Sequence, residues 1–333
     1  MNWISKSIFL STVLLCLWCL PNSGVELTRI GGISLSKELA GSEILFSVDK
    51  SKLDIAIYSI TSSKIARISH NNYKEQITHI KVGQLRPTDL LFNQTGDIIS
   101  LSPETDREFI WQDNGVVKIL LNDSGTTSYR RVIMGDFVVN LHGKCFAQNS
   151  CMKLTYGSNE VYFARFPNEL SNVGFIRNSP IAADQSSIYL GQNNFGLISR
   201  YNLSGMLIYA IPTIRSIEHK PTQEVRHNTR ISLFGRIART TITSRYNDAT
   251  NSILDIDVND KYIITLFSGS KKLAGRYIDV YNKNNGEPIG SIALNKITKR
   301  NVIALEVVGD SIFLLSQDAQ LSNYVDEFRL VFT

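Results

Sequence analysis

Helical periodicity is what this sequence lacks most. Beyond the first two dozen residues no window keeps apolar residues at three- and four-residue spacing for more than about two turns, which excludes a helical bundle. Cysteine is scarce as well: there are four in 333 residues, and Cys16 and Cys19 fall within the first twenty. The signatures of familiar catalytic centres are missing. There is no G-x-S-x-G nucleophile turn, no G-x-G-x-x-G, no P-loop and no H-E-x-x-H. The five histidines, His70, His79, His142, His219 and His227, include no pair at helical i,i+4 spacing. No catalytic residue is therefore assigned. With 35 basic against 30 acidic residues, and no stripe of interleaved aromatic and basic residues, nothing points to nucleic acid as a partner.

What the chain does have begins with a leader. Residues 1–24, MNWISKSIFLSTVLLCLWCLPNSG, place Lys6 before an almost unbroken apolar run, Ile8–Leu20, and follow it with Pro21-Asn22-Ser23-Gly24. That is the layout of a secretory signal peptide cut near Ser23-Gly24. The run is shorter than the roughly 20 apolar residues that span a bilayer. Leu15 and Trp18 precede the two leader cysteines, where a lipid-attachment site wants a small residue. No second long apolar segment follows. The mature chain, 25–333, is expected to have no membrane span and to be secreted or periplasmic. It keeps Cys145 and Cys151, in KCFAQNSC, and such a pair in an exported chain reads as a disulfide. The rival, a metal site with His142, falls short of the four ligands that a closed zinc site takes. Asn93, Asn122 and Asn202 each head an Asn-x-Ser/Thr triplet, which matters only in a eukaryotic secretory route.

Period-two alternation is common in the mature chain. In Leu53–Ile60 (LDIAIYSI), Leu53, Ile55 and Ile57 fall on one face and Asp54, Ala56 and Tyr58 on the other, as in a half-buried strand. Such strands group into units at about 42–69, 78–121, 129–166, 176–211, 250–294 and 301–333. Corresponding strands starting near Asp89, Asp136, Ile181, Ile253 and Val302 lie about 47, 45, 72 and 49 residues apart. A strand-built repeat of this size predicts an all-β, six-bladed β-propeller with four-stranded antiparallel blades, one domain over 25–333. Glu26–Leu35 (ELTRIGGISL) is expected to close the ring by pairing with Phe328–Phe332. The one long gap holds Thr213–Tyr246, a basic insertion with Arg215, Lys220, Arg226, Arg230, Arg236, Arg239 and Arg245 against Glu218 and Glu224. It is either a solvated edge or a docking patch, built on Arg226, Arg230, Arg236 and Arg239, for an acidic partner or anionic ligand.

Two stretches, Leu197–Ile211 (LISRYNLSGMLIYAI) and Tyr277–Leu294 (YIDVYNKNNGEPIGSIAL), set Tyr201-Asn202 before Gly205 and Tyr281-Asn282 before Gly286. Ile57-Tyr58-Ser59 echoes them without the glycine. In these the chain resembles the blade strands of six-bladed propellers of the TolB-like and NHL-like kind, over most of its mature length. The resemblance implies that the first strand of each blade lines a central channel. It also implies that this channel could hold calcium on Asp, Glu and Asn side chains, as in lactonase-like six-bladed hydrolases. Asp89, Asp136, Asp184 and the pair Asp255/Asp257 lie near first strands, and Asp89, Asp136, Asp184 and Asp257 are the metal candidates. The competing expectation is that each merely accepts turn hydrogen bonds. Two functions follow. One is a non-enzymatic propeller that needs no cofactor and binds a protein or small-molecule ligand. The other is a calcium-assisted lactonase-like hydrolase or lyase acting in the channel.

Overall fold

Runs of β-branched and aromatic residues between Gly, Asn and Asp turns favour strand over helix, and the described residues of the computed structural model form strands, with two single 3-10 turns at Lys37–Leu39 and Leu294–Lys296. It describes residues 24–332 apart from 42, 72–73, 80–86, 103–106, 113–116, 122–127, 143–149, 166–178, 218–221, 232–236, 248–250, 271 and 273. The described residues form six four-stranded antiparallel sheets and one two-stranded ribbon. Blade one holds β2 (Ile44–Val48), β3 (Ile55–Ser59), β4 (Lys64–Ser69) and β5 (Lys74–His79). Blade two holds β6 (Asp89–Phe92), β7 (Ile98–Ser102), β8 (Arg107–Trp111) and β9 (Val117–Leu121). In blade three these places go to β10 (Ser128–Met134), β11 (Phe137–His142), β12 (Ser150–Tyr156) and β13 (Asn159–Arg165). Blade four is β14 (Ile181–Ala183), β15 (Ser187–Gln192), β16 (Leu197–Asn202) and β17 (Leu207–Pro212). The ribbon, β18 (Thr222–Ile231) and β19 (Ile237–Asn247), precedes blade five: β20 (Asn251–Val258), β21 (Tyr262–Ser270), β22 (Tyr277–Asn282) and β23 (Pro288–Ala293). Blade six runs β24 (Asn301–Val308), β25 (Ser311–Gln317), β26 (Asn323–Phe332), and its outermost strand is β1 (Val25–Ser34).

The expected closure is therefore present. Leu27 pairs with Leu330 and Ile33 with Val325, across a bulge between Arg29 and Gly31. First strands touch their neighbours around the ring, β2 with β6, β6 with β10, β10 with β14, β14 with β20, β20 with β24 and β24 with β2. The apolar core follows the same plan, divided among the seams between blades. Ile55 and Ile57 pack on Phe313, Leu315 and Val325 of blade six. Ala56 and Tyr58, the alternate residues of the same strand, pack on Leu90, Phe109 and Trp111 of blade two. This corrects the expectation of half-buried strands. All five residues of β3 are buried, because each blade is covered on both faces and the alternation merely divides side chains between two seams.

The Tyr-Asn signal, with its glycine three residues on at Gly205 and four on at Gly286, marks the turn from third to fourth strand. Asn202 Oδ1 accepts the N–H groups of Ser204 and Met206, while Gly205 N–H bonds Asn202 O at 2.9 Å. Gly205 and Gly286 sit at φ +78° and +74°, a region costly for any residue with a Cβ. Tyr58 is on a second strand, so its likeness to the signal is incidental. Blade three shows a further correction. Its first strand is Ser128–Met134, and Asp136–Leu141, expected in that place, is the following turn and the second strand. The adjacent Arg130 and Arg131 interrupt the apolar alternation of β10 and so hide it.

Third strands of the last two blades carry Tyr-x-Asp, and each takes an arginine from the connector before its blade. Arg215 lies 3.7 Å from the Tyr277 ring centre and donates to Ser291 Oγ, which in turn donates to Asp279 Oδ1 at 2.5 Å. Arg300 stacks on Tyr324 and pairs with Asp326. The approach to the ribbon is thus pinned to blade five. Among the described residues no helix is long and apolar enough to cross a membrane.

Candidate functional site

The six first strands enclose a cavity of about 390 Å³ along the ring axis. A first strand has a ladder partner on one side only, so its other N–H groups need acceptors from elsewhere. Aspartates supply them across the seams. Asp89 Oδ2 accepts Arg131 N–H at 2.7 Å, Asp255 Oδ2 accepts Leu305 N–H at 3.0 Å, and Asp257 Oδ2 accepts Val307 N–H at 2.7 Å. In each case the donor belongs to the first strand of the next blade.

The same carboxylates meet charges that face the cavity. Lys50, in the turn after β2, reaches across so that its Nζ lies 2.8 and 3.1 Å from Asp257 Oδ1 and Oδ2. Arg130 Nη1 donates to Asp89 Oδ1 at 3.2 Å. Arg131 turns away, to Glu108 and, at 2.8 Å, to Asn140 Oδ1. Depth in the channel pushes Asp255 up to about 7 against the pull of Arg130, with Asp257 adding to the rise. Burial, reinforced by Asp257 and Asp255, holds Glu306 well above the carboxylate range in spite of Lys50. Burial also raises Asp89 against Arg130. Desolvation works against the Lys50 charge, but Asp257 and Glu306 outweigh it and its pKa rises.

Of the four metal candidates, Asp89 and Asp257 border the cavity and the other two do not. Asp136 lies exposed in the β10–β11 turn. Asp184 follows β14, where its Oδ1 accepts the N–H groups of Ser186 and Ser187 while Oδ2 meets the Tyr189 hydroxyl and Lys283. Turn bonding thus accounts for Asp184, and cross-seam bonding for Asp89 and Asp257. Calcium takes six to eight oxygen ligands, whereas Asp257 already accepts from Lys50, Val258 and Val307. Among the described residues no group of three or more His, Cys, Asp or Glu is placed to hold a metal ion. The donor set as arranged fits calcium poorly.

Three cavity residues, Lys50, Arg130 and Glu306, escaped the reading of the sequence. The available signal was a charge inside an apolar first strand, as at Glu306 in NVIALEVV. Of the docking arginines, Arg226 and Arg230 are on β18 and Arg239 on β19, while Arg236 lies outside the described residues. Cys151 opens the core of β12 with no exposure; Cys145 and the leader lie outside the described residues.

A closed ring of six four-stranded sheets around a charged channel defines a six-bladed β-propeller. No family model matches the chain, and no curated protein matches it significantly. Among solved structures, virginiamycin B lyase from Staphylococcus aureus aligns with a TM-score of 0.52 at 11% identity, over 92% of this chain and 100% of that one. Regucalcin, a calcium-binding protein from Agrobacterium tumefaciens, aligns at 0.53 and 10% identity over 90% and 95%. The PQQ-bound aldose sugar dehydrogenase from Streptomyces coelicolor gives 0.52 and 8% over 92% and 100%. At such identities the likeness is one of fold alone.

Proposed function

We propose that this chain is an exported binding propeller whose ribbon docks an acidic protein partner. The register of β18 with β19 carries this reading. Glu224 pairs with Arg245, Arg226 with Thr243, Asn228 with Thr241 and Arg230 with Arg239, alternate pairs that share one face. Gln223/Tyr246, Val225/Ser244, His227/Ile242 and Thr229/Thr240 share the other. All four arginines of the two strands thus fall on a single face. Like charges directly opposite destabilise a cross-strand pair, so Arg230 against Arg239 is a cost that acidic side chains relieve. Poly-glutamate is a direct probe: it should bind and be released by salt, since screening at physiological ionic strength acts beyond about 8 Å. Replacing Arg226, Arg230, Arg236 and Arg239 with Gln should weaken binding roughly tenfold or more with melting unchanged. A folded variant that binds as before would reduce the ribbon to a solvated edge.

Export is supported by the leader and by the cysteine pair. The mature mass should lack residues 1–24, and Cys145 and Cys151 should resist alkylation until reduced. A second reading, a calcium-assisted hydrolase or lyase in the channel, draws support from the cavity and from a fold shared with a lyase and a calcium-binding protein. It requires Lys50 to leave Asp257. Calorimetric titration that shows no calcium binding to chelator-treated protein would remove it.

A further inference from the structure

We propose that the channel binds a small organic amine, whose ammonium group takes the seat that Lys50 occupies on Asp257. The seat is already shaped for such a group. The Lys50 ammonium, a three-proton donor, contacts both Asp257 oxygens.

The occupant is removable while the seat is fixed. The Lys50 side chain is 53% exposed against 7% for Asp257. Asp257 keeps its bonds from Val258 and Val307 when the lysine swings out, so the carboxylate stays aimed into the channel. Five acidic side chains border the cavity, Asp49, Asp89, Asp255, Asp257 and Glu306, and with Lys50 withdrawn Arg130 is the one basic side chain among the described lining residues that faces them, because Arg131 is turned towards Glu108. Asp49, in the same cavity wall, is 4% exposed; its Oδ1 accepts the N–H groups of Ser51 and Lys52 and its Oδ2 lies beside the turn at Gly96.

The rest of the cavity selects an organic amine over a bare cation. Phe46, Leu91, Val132 and Ile181 give it an apolar wall, and about 390 Å³ exceeds what an ammonium ion needs. An ammonium is satisfied by about three acceptors, where calcium requires six to eight oxygens, most of which backbone N–H groups have already claimed here.

The test uses the full mature chain with phenethylamine as probe, its neutral counterpart 2-phenylethanol, and calcium chloride, all by calorimetry. Phenethylamine should bind and 2-phenylethanol should not. Lys50→Ala should tighten phenethylamine binding roughly tenfold, because an internal competitor that fills the seat about nine-tenths of the time lowers apparent affinity by that factor. Asp257→Asn should abolish binding; should that variant fail to fold, Asp257→Glu replaces it, with weakened binding expected because the longer side chain moves the carboxylate off the seat. Equal binding of amine and alcohol would overturn the proposal, as would an unchanged affinity in Lys50→Ala. Calcium binding to Lys50→Ala without amine binding would overturn it in favour of a metal site. None of these results depends on the ribbon, so the docking reading stands or falls separately.

Discussion

Asp279 shows how a single buried carboxyl sets the pH response. It has no exposure, its Oδ1 accepts from Ser291, and its Oδ2 accepts no hydrogen bond among the described residues. Burial pushes it up to about 6 from an ordinary 3.8, against the lowering effects of Ser291 and Arg215. A carboxyl that holds its proton more tightly when folded stabilises the fold fully below about pH 4, and loses that contribution as pH rises through about 6. The loss is on the order of 2 to 3 kcal/mol. Asp255 acts in the same direction, with its window extending to about 7. The melting temperature should therefore fall between pH 5 and pH 7.5, and Asp279→Asn should flatten that fall and melt above the wild type at pH 8. A wild-type melting temperature that rises across this interval would contradict the assignment. At this scale the sequence was half legible. Asp89 and Asp257 could be placed near first strands from alternation and turns, whereas Lys50 and Glu306 could not be linked to them. The group draws on four blades, and the Lys50–Asp257 bond alone spans 207 residues.

Among elements, the ribbon stands apart because it joins no blade. Its flanks nevertheless converge: a Cβ placed on Gly196 would lie 3.3 Å from Ile217 Cγ2 and 4.0 Å from Ser252 Cβ. With Ile217 and Ser252 so close, a short Gly-Ser linker in place of 219–249 should leave far-UV circular dichroism and melting nearly unchanged while removing salt-sensitive poly-glutamate binding. Collapse of the fold would show instead that the ribbon is part of the ring. The sequence marked this insertion by its 72-residue spacing and its charge. The two-sided character of the ribbon was out of reach, since it depends on a register with a bulge between Arg230 and Ile231. In blade one, Leu53–Ile60 was recognisable as a strand, but alternation alone did not distinguish one covered face from two. Only the ring, which sets blade six against Ile57 and blade two against Tyr58, decides that.

For the whole molecule, closure rests on β1. Removing Val25–Ser34 would leave β26 with an unpaired edge and uncover Val325 and Phe328, which are buried in the seams next to blade six. The truncated protein should lose its single cooperative melt and associate through the bare edge, a change visible in sedimentation; a monomer that still melts cooperatively would mean the ring holds without that strand. The pairing of Val25 with Phe332 also has a consequence for biosynthesis. The first strand of the ring leaves the ribosome some 300 residues before its partner exists, at roughly 5–20 residues per second a wait of tens of seconds. Throughout that interval β1 has no place to fold. Until then the ring cannot close, whatever the state of the blades already made.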